Sequence, residues 1–122
     1  MAAHNELGKT GEELAQQYLR KKRYTILQTN YKVRNIELDI IAQTKKTIVF
    51  VEVKTRSSEA FGMPEEAVDA RKQQRIVRAA NTYMQQYPDD YEARFDIIAV
   101  VMKDNAEPEI RHTEDAFAPR LG

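Results

Sequence analysis

Apolar residues recur at helical spacing from Leu7 to about Lys22, at Leu7, Leu14, Ala15, Tyr18 and Leu19. On a wheel of about 100° per residue they form one arc. Gly11 lies inside that arc, Glu12 at its margin and Glu13 almost opposite. Lys21-Lys22-Arg23 closes the helix with cations, which suits the negative end of its dipole. The period then shortens. Tyr24 to Val33 is β-rich but mixed, while Ile36 to Gln43 and Thr47 to Arg56 are strongly β-branched. Only Thr44-Lys45-Lys46, or less, joins the last two, which predicts an antiparallel hairpin. Ser57 to Met63 reads as a loop. A second helix is expected from Pro64, with Glu65 and Glu66 at its positive end. Its stripe of Ile76, Val77, Ala80, Tyr83, Met84 and Tyr87 stops before Pro88. Arg94 to Lys103 is almost wholly apolar after Asp96, as in a strand buried on both faces, and Glu109 to Thr113 allows one more short strand. Helix, three strands, helix and one or two strands predict an α/β fold, a three-layer-type sandwich with a mixed central sheet flanked by helices.

The hairpin carries the candidate chemistry. Alternation places Glu37, Asp39 and Ile41 on one face of the first strand, and Ile48, Phe50, Glu52, Lys54 and Arg56 on one face of the second. A loop of two or four residues centred between Lys45 and Lys46 pairs Gln43 with Ile48, whereas a three-residue loop would slip the pairing and leave the carboxylates diagonal, still within reach of a shared ion. Counting back from the Gln43–Ile48 pair sets Asp39 opposite Glu52 and Glu37 opposite Lys54, with Cβ atoms roughly 4.5–5.5 Å apart. Like charges placed so destabilise a sheet, and burial raises the cost unless protons or a cation compensate. A hard divalent cation, Mg²⁺ or Mn²⁺, takes oxygen ligands from one or two carboxylates plus substrate phosphate. Asp39 and Glu52 are therefore the candidate metal ligands. Lys54, one pleat from Glu52, is placed to hold a scissile phosphate or orient the attacking water. An ordinary Glu37–Lys54 ion pair, with Asp39 and Glu52 facing water, is the alternative. The apolar character of both faces of Ile48 to Val51 weighs against it.

Bulk composition narrows the classes. The 122 residues suit one domain, with a core over about 5–113 and a C-terminal tail over about 114–122. Lys and Arg number 19 against 19 Asp and Glu, which argues against coating nucleic acid through bulk positive charge. The absence of cysteine excludes disulfides and cysteine-ligated metal centres. Met1 to Leu14 has no apolar stretch suited to a signal peptide, and the longest apolar run, Ile97 to Met102, falls far short of the ~18–20 residues of a membrane helix. A cytoplasmic location without membrane contact is the expectation. Arg71, Lys72, Arg75 and Arg78 form a stripe roughly opposite the apolar face of the second helix, which reads first as a solvated face and second as phosphate contacts. Lys72 lies at its flank, nearest the sheet. Arg34 and Arg56, near the ends of the hairpin strands, are candidates to frame a nucleic-acid path. His4 and His112 look isolated, and neither is assigned to metal. Asp96 is open to a structural role or to support of the site.

Asp39 followed by Glu52-Val53-Lys54 resembles the PD-(D/E)xK signature of restriction-endonuclease-like nucleases. More closely, the chain resembles the YraN-like family of small bacterial proteins. The matching stretches are Gly8-Lys9-Thr10-Gly11-Glu12, Glu37-Leu38-Asp39-Ile40-Ile41, Phe50-Val51-Glu52-Val53-Lys54-Thr55-Arg56 and Arg94-Phe95-Asp96-Ile97-Ile98, with Phe61-Gly62 and Lys72. The resemblance covers about residues 5–102. It implies a fold similar to archaeal Holliday-junction resolvases and a site of Glu12, Asp39, Glu52 and Lys54. Ile36 stands where the family usually has Gly, a departure expected to touch the backbone at the strand's start more than the ligands. The expectation is a Mg²⁺- or Mn²⁺-dependent endonuclease-like protein acting on DNA, branched DNA included, with a homodimer left open. The alternatives are a nucleic-acid-binding protein of the same fold with little or no turnover, and a scaffold for protein contacts.

Overall fold

The computed structural model describes residues 2–57 and 68–117, with side chains from residue 9 onward. The elements are α1 (Ala2–Lys21), β1 (Thr25–Val33), β2 (Ile36–Thr44), β3 (Thr47–Arg56), α2 (Ala70–Met84), β4 (Glu92–Val101) and β5 (Glu109–Thr113). The five strands form one sheet in the order β1-β2-β3-β4-β5. Every neighbouring pair is antiparallel except β3 and β4, which are parallel and have α2 between them in the chain.

Each helix covers one face. Ile76, Val77, Ala79, Ala80 and Tyr83 of α2 pack with Ile41, Ile48, Phe50, Phe95 and Ile97. Ala15 and Leu19 of α1 pack with Ile40, Ala42, Val49, Val51, Ile98 and Val100. The result is the expected three-layer α/β sandwich. From Phe95 to Val101 every residue of β4 is buried, because β4 is central and covered on both sides.

Three boundaries differ from the sequence reading. The α1 backbone is helical from Ala2, ahead of Leu7, so it includes His4. The described helix α2 begins at Ala70, where the Asp69 carboxylate accepts the Lys72 N–H at 2.9 Å. Pro64, Glu65, Glu66 and the Phe61-Gly62 pair lie outside the described residues. The core extends past residue 113: the Ala116 N–H donates to the Phe95 carbonyl at 2.7 Å, and the buried Phe117 ring stacks on Phe95. Ile36 pairs with Val33 as an ordinary strand residue. The left-handed residue of that turn is Arg34, with φ 56°, so the β2 start does not require glycine at position 36.

Candidate metal and phosphate site

The β2–β3 hairpin has the predicted register, with Thr44 opposite Thr47, Gln43 opposite Ile48 and Ile40 opposite Val51. One step further stand Asp39 and Glu52. Here the backbone ladder ends, because Asp39 Oδ2 accepts the Val53 N–H at 2.9 Å. The expected opposition of Glu37 and Lys54 is therefore not formed. Glu37 keeps its partner Lys32 on β1, and Lys54 turns to Glu52, with Nζ 3.5 Å from Oε2.

Glu52 is 6% exposed, one of two buried charged residues in the described chain. Its Oε2 also meets the Lys72 ammonium, which comes down from the first turn of α2. Two lysines from different elements thus converge on one carboxylate oxygen. Burial raises the Asp39 carboxyl to about 7, the nearby Glu52 charge adds to the rise, and the Val53 N–H opposes it. Burial also lowers Lys54, with the neighbouring Lys72 adding to the effect. For Lys72 burial acts downward, but the contacts with Glu52 and Lys54 and the Asp39 charge together outweigh it and raise the ammonium.

A cleft of about 390 Å³ opens over this cluster, lined by Asp39 and Glu52 on the sheet, Asn35, Ile36 and Glu37 at the start of β2, and Asp69, Arg71, Lys72, Arg75 and Ile76 on the α2 side. Arg71 and Arg75 are exposed and still line the mouth. Arg78 is exposed and outside that lining. Arg34 is exposed in the β1–β2 turn, and Arg56 donates to the Thr55 carbonyl at 2.9 Å. Glu12 stands outside the lining but within electrostatic reach. Burial raises its carboxyl, Asn30 opposes the rise, and Glu37 and Glu52 add to it. Lys54 touches the cluster through Glu52 rather than through the cleft wall.

Among the described residues no three His, Cys, Asp or Glu side chains gather closely enough to enclose a metal ion. The donor set is a two-carboxylate one, the kind that suits Mg²⁺ or Mn²⁺ completed by water and phosphate oxygens. Its fit to a cation is visible in the protein itself: an ammonium from α2 already sits against Glu52.

Sequence reasoning missed a second polar cluster. His112 is not isolated: Nε2 lies 2.7 Å from Asp96 Oδ2, and Nδ1 lies 3.1 Å from the Tyr18 hydroxyl. Arg94 grips Asp96 through Nε at 2.9 Å and Nη2 at 2.8 Å, and Nη2 also reaches Tyr24 Oη at 2.7 Å. The Asp115 N–H completes the shell at 3.0 Å. Asp96 pairs with Val51, which faces α1, so this cluster lies across the sheet from Glu52. That answers the open question about Asp96 in favour of a structural role. Its signal in the sequence was absent, since Tyr18 and His112 are 94 positions apart.

Fold and site define a small α/β protein with one buried and one half-buried carboxylate side by side, two lysines on the buried one and arginines at the mouth. The chain belongs to the family described as "Uncharacterised protein family UPF0102", whose model matches residues 11–100; this is the YraN-like family that the motifs resemble. It is similar to a UPF0102 protein of Christiangramia forsetii, 50% identical over 117 residues, covering 96% of this chain and 98% of the relative. A UPF0102 protein of Flavobacterium psychrophilum is 51% identical with the same coverage, and one of Bacteroides thetaiotaomicron is 48% identical over 99% of both chains. Among the described residues no helix is long and apolar enough to cross a membrane.

Proposed function

We propose that this protein is a metal-dependent phosphodiester hydrolase acting on DNA in the cytoplasm, built on a restriction-endonuclease-like fold. The observation that carries the reading is the pairing of buried Glu52 with half-buried Asp39, placed beside Lys54 and Lys72 beneath an arginine-lined cleft. Two carboxylates held side by side with one of them buried have a use when a cation must be held, and little use in a protein that only binds. Asp39 and Glu52 hold Mg²⁺ or Mn²⁺, which when bound stabilises the charge that develops on the phosphoryl oxygens. Lys54 is held by Glu52 where its ammonium orients water and the scissile phosphate. Glu12 assists from the α1 side, its high proton affinity suiting a role in proton transfer. Arg71 and Arg75 orient the backbone phosphates at the mouth. A second reading, DNA binding without turnover, draws on the Lys72–Glu52 contact, which already neutralises one carboxylate.

Cleavage of duplex, single-stranded, flap and four-way-junction DNA with Mg²⁺ and with Mn²⁺ separates the two readings. Glu52→Gln and Lys54→Ala should each lower the rate by about 10²–10³-fold, the cost of losing one group that stabilises transition-state charge. Equal rates in wild type and both variants would remove this site from any hydrolysis. DNA binding without cleavage of any substrate would leave the second reading.

A further inference from the structure

Lys72 and Lys54 meet the same oxygen of Glu52 under different constraints. Lys54 rises from β3 inside the sheet and its side chain is 15% exposed, so it has little room to move. Lys72 reaches in from α2 with a side chain 42% exposed, along the wall of the open cleft. Its backbone is fixed by the Asp69 cap, while its four-carbon stem is free to swing. In the protein without metal, the ammonium on Glu52 answers the charge of the Asp39–Glu52 pair. A divalent cation on the same two carboxylates would meet that ammonium at close range and repel it. The space open to a displaced Lys72 is the cleft, where Arg71 and Arg75 already stand.

Resting on the hydrolase reading above, we propose that Lys72 is the internal counter-ion of Glu52, that a divalent cation displaces it, and that the released ammonium then binds a DNA phosphate. Lys72 thereby links metal loading to substrate binding: each strengthens the other because both require the Lys72–Glu52 contact to open. In the metal-loaded protein Lys72 is a substrate-binding residue, distinct from Lys54, which stays in place.

The test uses the full chain without and with metal. Mn²⁺ affinity is measured by calorimetry or electron paramagnetic resonance at matched ionic strength. Lys72→Met should bind Mn²⁺ about fivefold tighter than wild type, the factor set by losing a partly exposed competing ion pair. Lys72→Arg, which keeps the charge, should stay near wild type, and Glu52→Gln should lose binding. The second readout is the salt dependence of DNA affinity. In Ca²⁺ the Lys72→Met slope should be shallower than wild type by about one phosphate contact. In EDTA the two slopes should coincide, because Lys72 is then held by Glu52.

Equal or weaker Mn²⁺ binding by Lys72→Met, or equally tightened binding by Lys72→Arg, overturns the competition. Slopes that differ in EDTA as much as in Ca²⁺, or in neither, overturn the handover. In all these cases Mn²⁺ binding by wild type and its loss in Glu52→Gln leave the metal reading intact. Failure of wild type itself to bind Mn²⁺ removes that reading and this inference together.

Discussion

Asp39 holds the sharpest conflict between burial and charge. Its carboxyl titrates at about 7 in the fold against an ordinary value of 3.8, so the folded state favours the protonated form. A raised value means that this contribution to stability is fully present below about 3.8 and is lost as pH rises through about 7. Asp39→Asn keeps an oxygen for the Val53 N–H and removes the charge. In EDTA at about pH 8 the variant should equal or exceed wild type, by on the order of 0.2–1 kcal/mol. Toward pH 5 the wild type should catch up. Metal should reverse the order, because for a dissociation constant of about 1 mM, about 10 mM Mg²⁺ stabilises wild type by roughly 1.4 kcal/mol. Thermal melts of both proteins across pH, with EDTA and with Mg²⁺, measure this. Collapse of Asp39→Asn in EDTA, or equal metal shifts in both proteins, would make Asp39 a structural residue only.

Among elements, α1 shows how one small residue sets a packing distance. In a helix interior Gly→Ala usually gains about 1 kcal/mol from backbone entropy and propensity. A Cβ on Gly11, however, would fall on Thr55 Oγ1 and lie 2.9 Å from both Thr55 Cβ and Cγ2. Thr55 is β-branched and stiff in its strand, so it has little room to give. Gly11→Ala should therefore destabilise the protein by about 1–3 kcal/mol, reversing the helix gain. The cost should shrink in a Thr55→Ala background, a coupling that a double-mutant cycle in urea measures directly. A more stable Gly11→Ala protein would mean that α1 does not depend on this close approach. The same approach holds Glu12, the next residue, within reach of Glu37 and Glu52.

At the scale of the molecule, the Asp96 cluster ties α1, the residue just before β1, β4, β5 and the segment after β5 to a single carboxylate. Burial would raise Asp96, but the hydrogen bonds from His112, Arg94 and the Asp115 N–H outweigh it and hold the carboxyl below its ordinary range. A lowered value contributes stability above the ordinary 3.8 that is lost as pH falls through the folded value. Asp96→Ala leaves Arg94 and His112 without their shared partner and should cost about 3–5 kcal/mol near neutral pH. The difference from wild type should narrow on acidification. Urea unfolding at several pH values reads both effects, and a loss below about 1 kcal/mol would show that the cluster does not hold these elements together.

The sequence by itself determined most of the elements and their order, and it narrowed the hairpin register to the pairing of a two- or four-residue loop or the slipped pairing of a three-residue one. These depend on local rules: side chains alternate with period two, helical faces repeat every 3.6 residues, and loop length selects the register, which the structure resolves as a two-residue connection between Thr44 and Thr47. Asp39, Glu52, Lys54 and the flanking position of Lys72 were legible for that reason. The start of α2 was less so, because Pro64 and Asp69 are both good helix openers and the Asp69 cap takes the Lys72 N–H. Only the tertiary structure decided where the ladder stops, since Asp39 takes the Val53 N–H through a contact between strands. Only it turned an apparently solvated arginine stripe into the rim of a cleft, because α2 lies across the mouth of the site and its first turns are both exposed and facing the carboxylates. It alone joined Tyr18 to His112 and Asp96, residues on three elements whose meeting depends on how α1 and β5 dock against β4. Local periodicity fixes which face a side chain takes, whereas long-range packing fixes what that face meets.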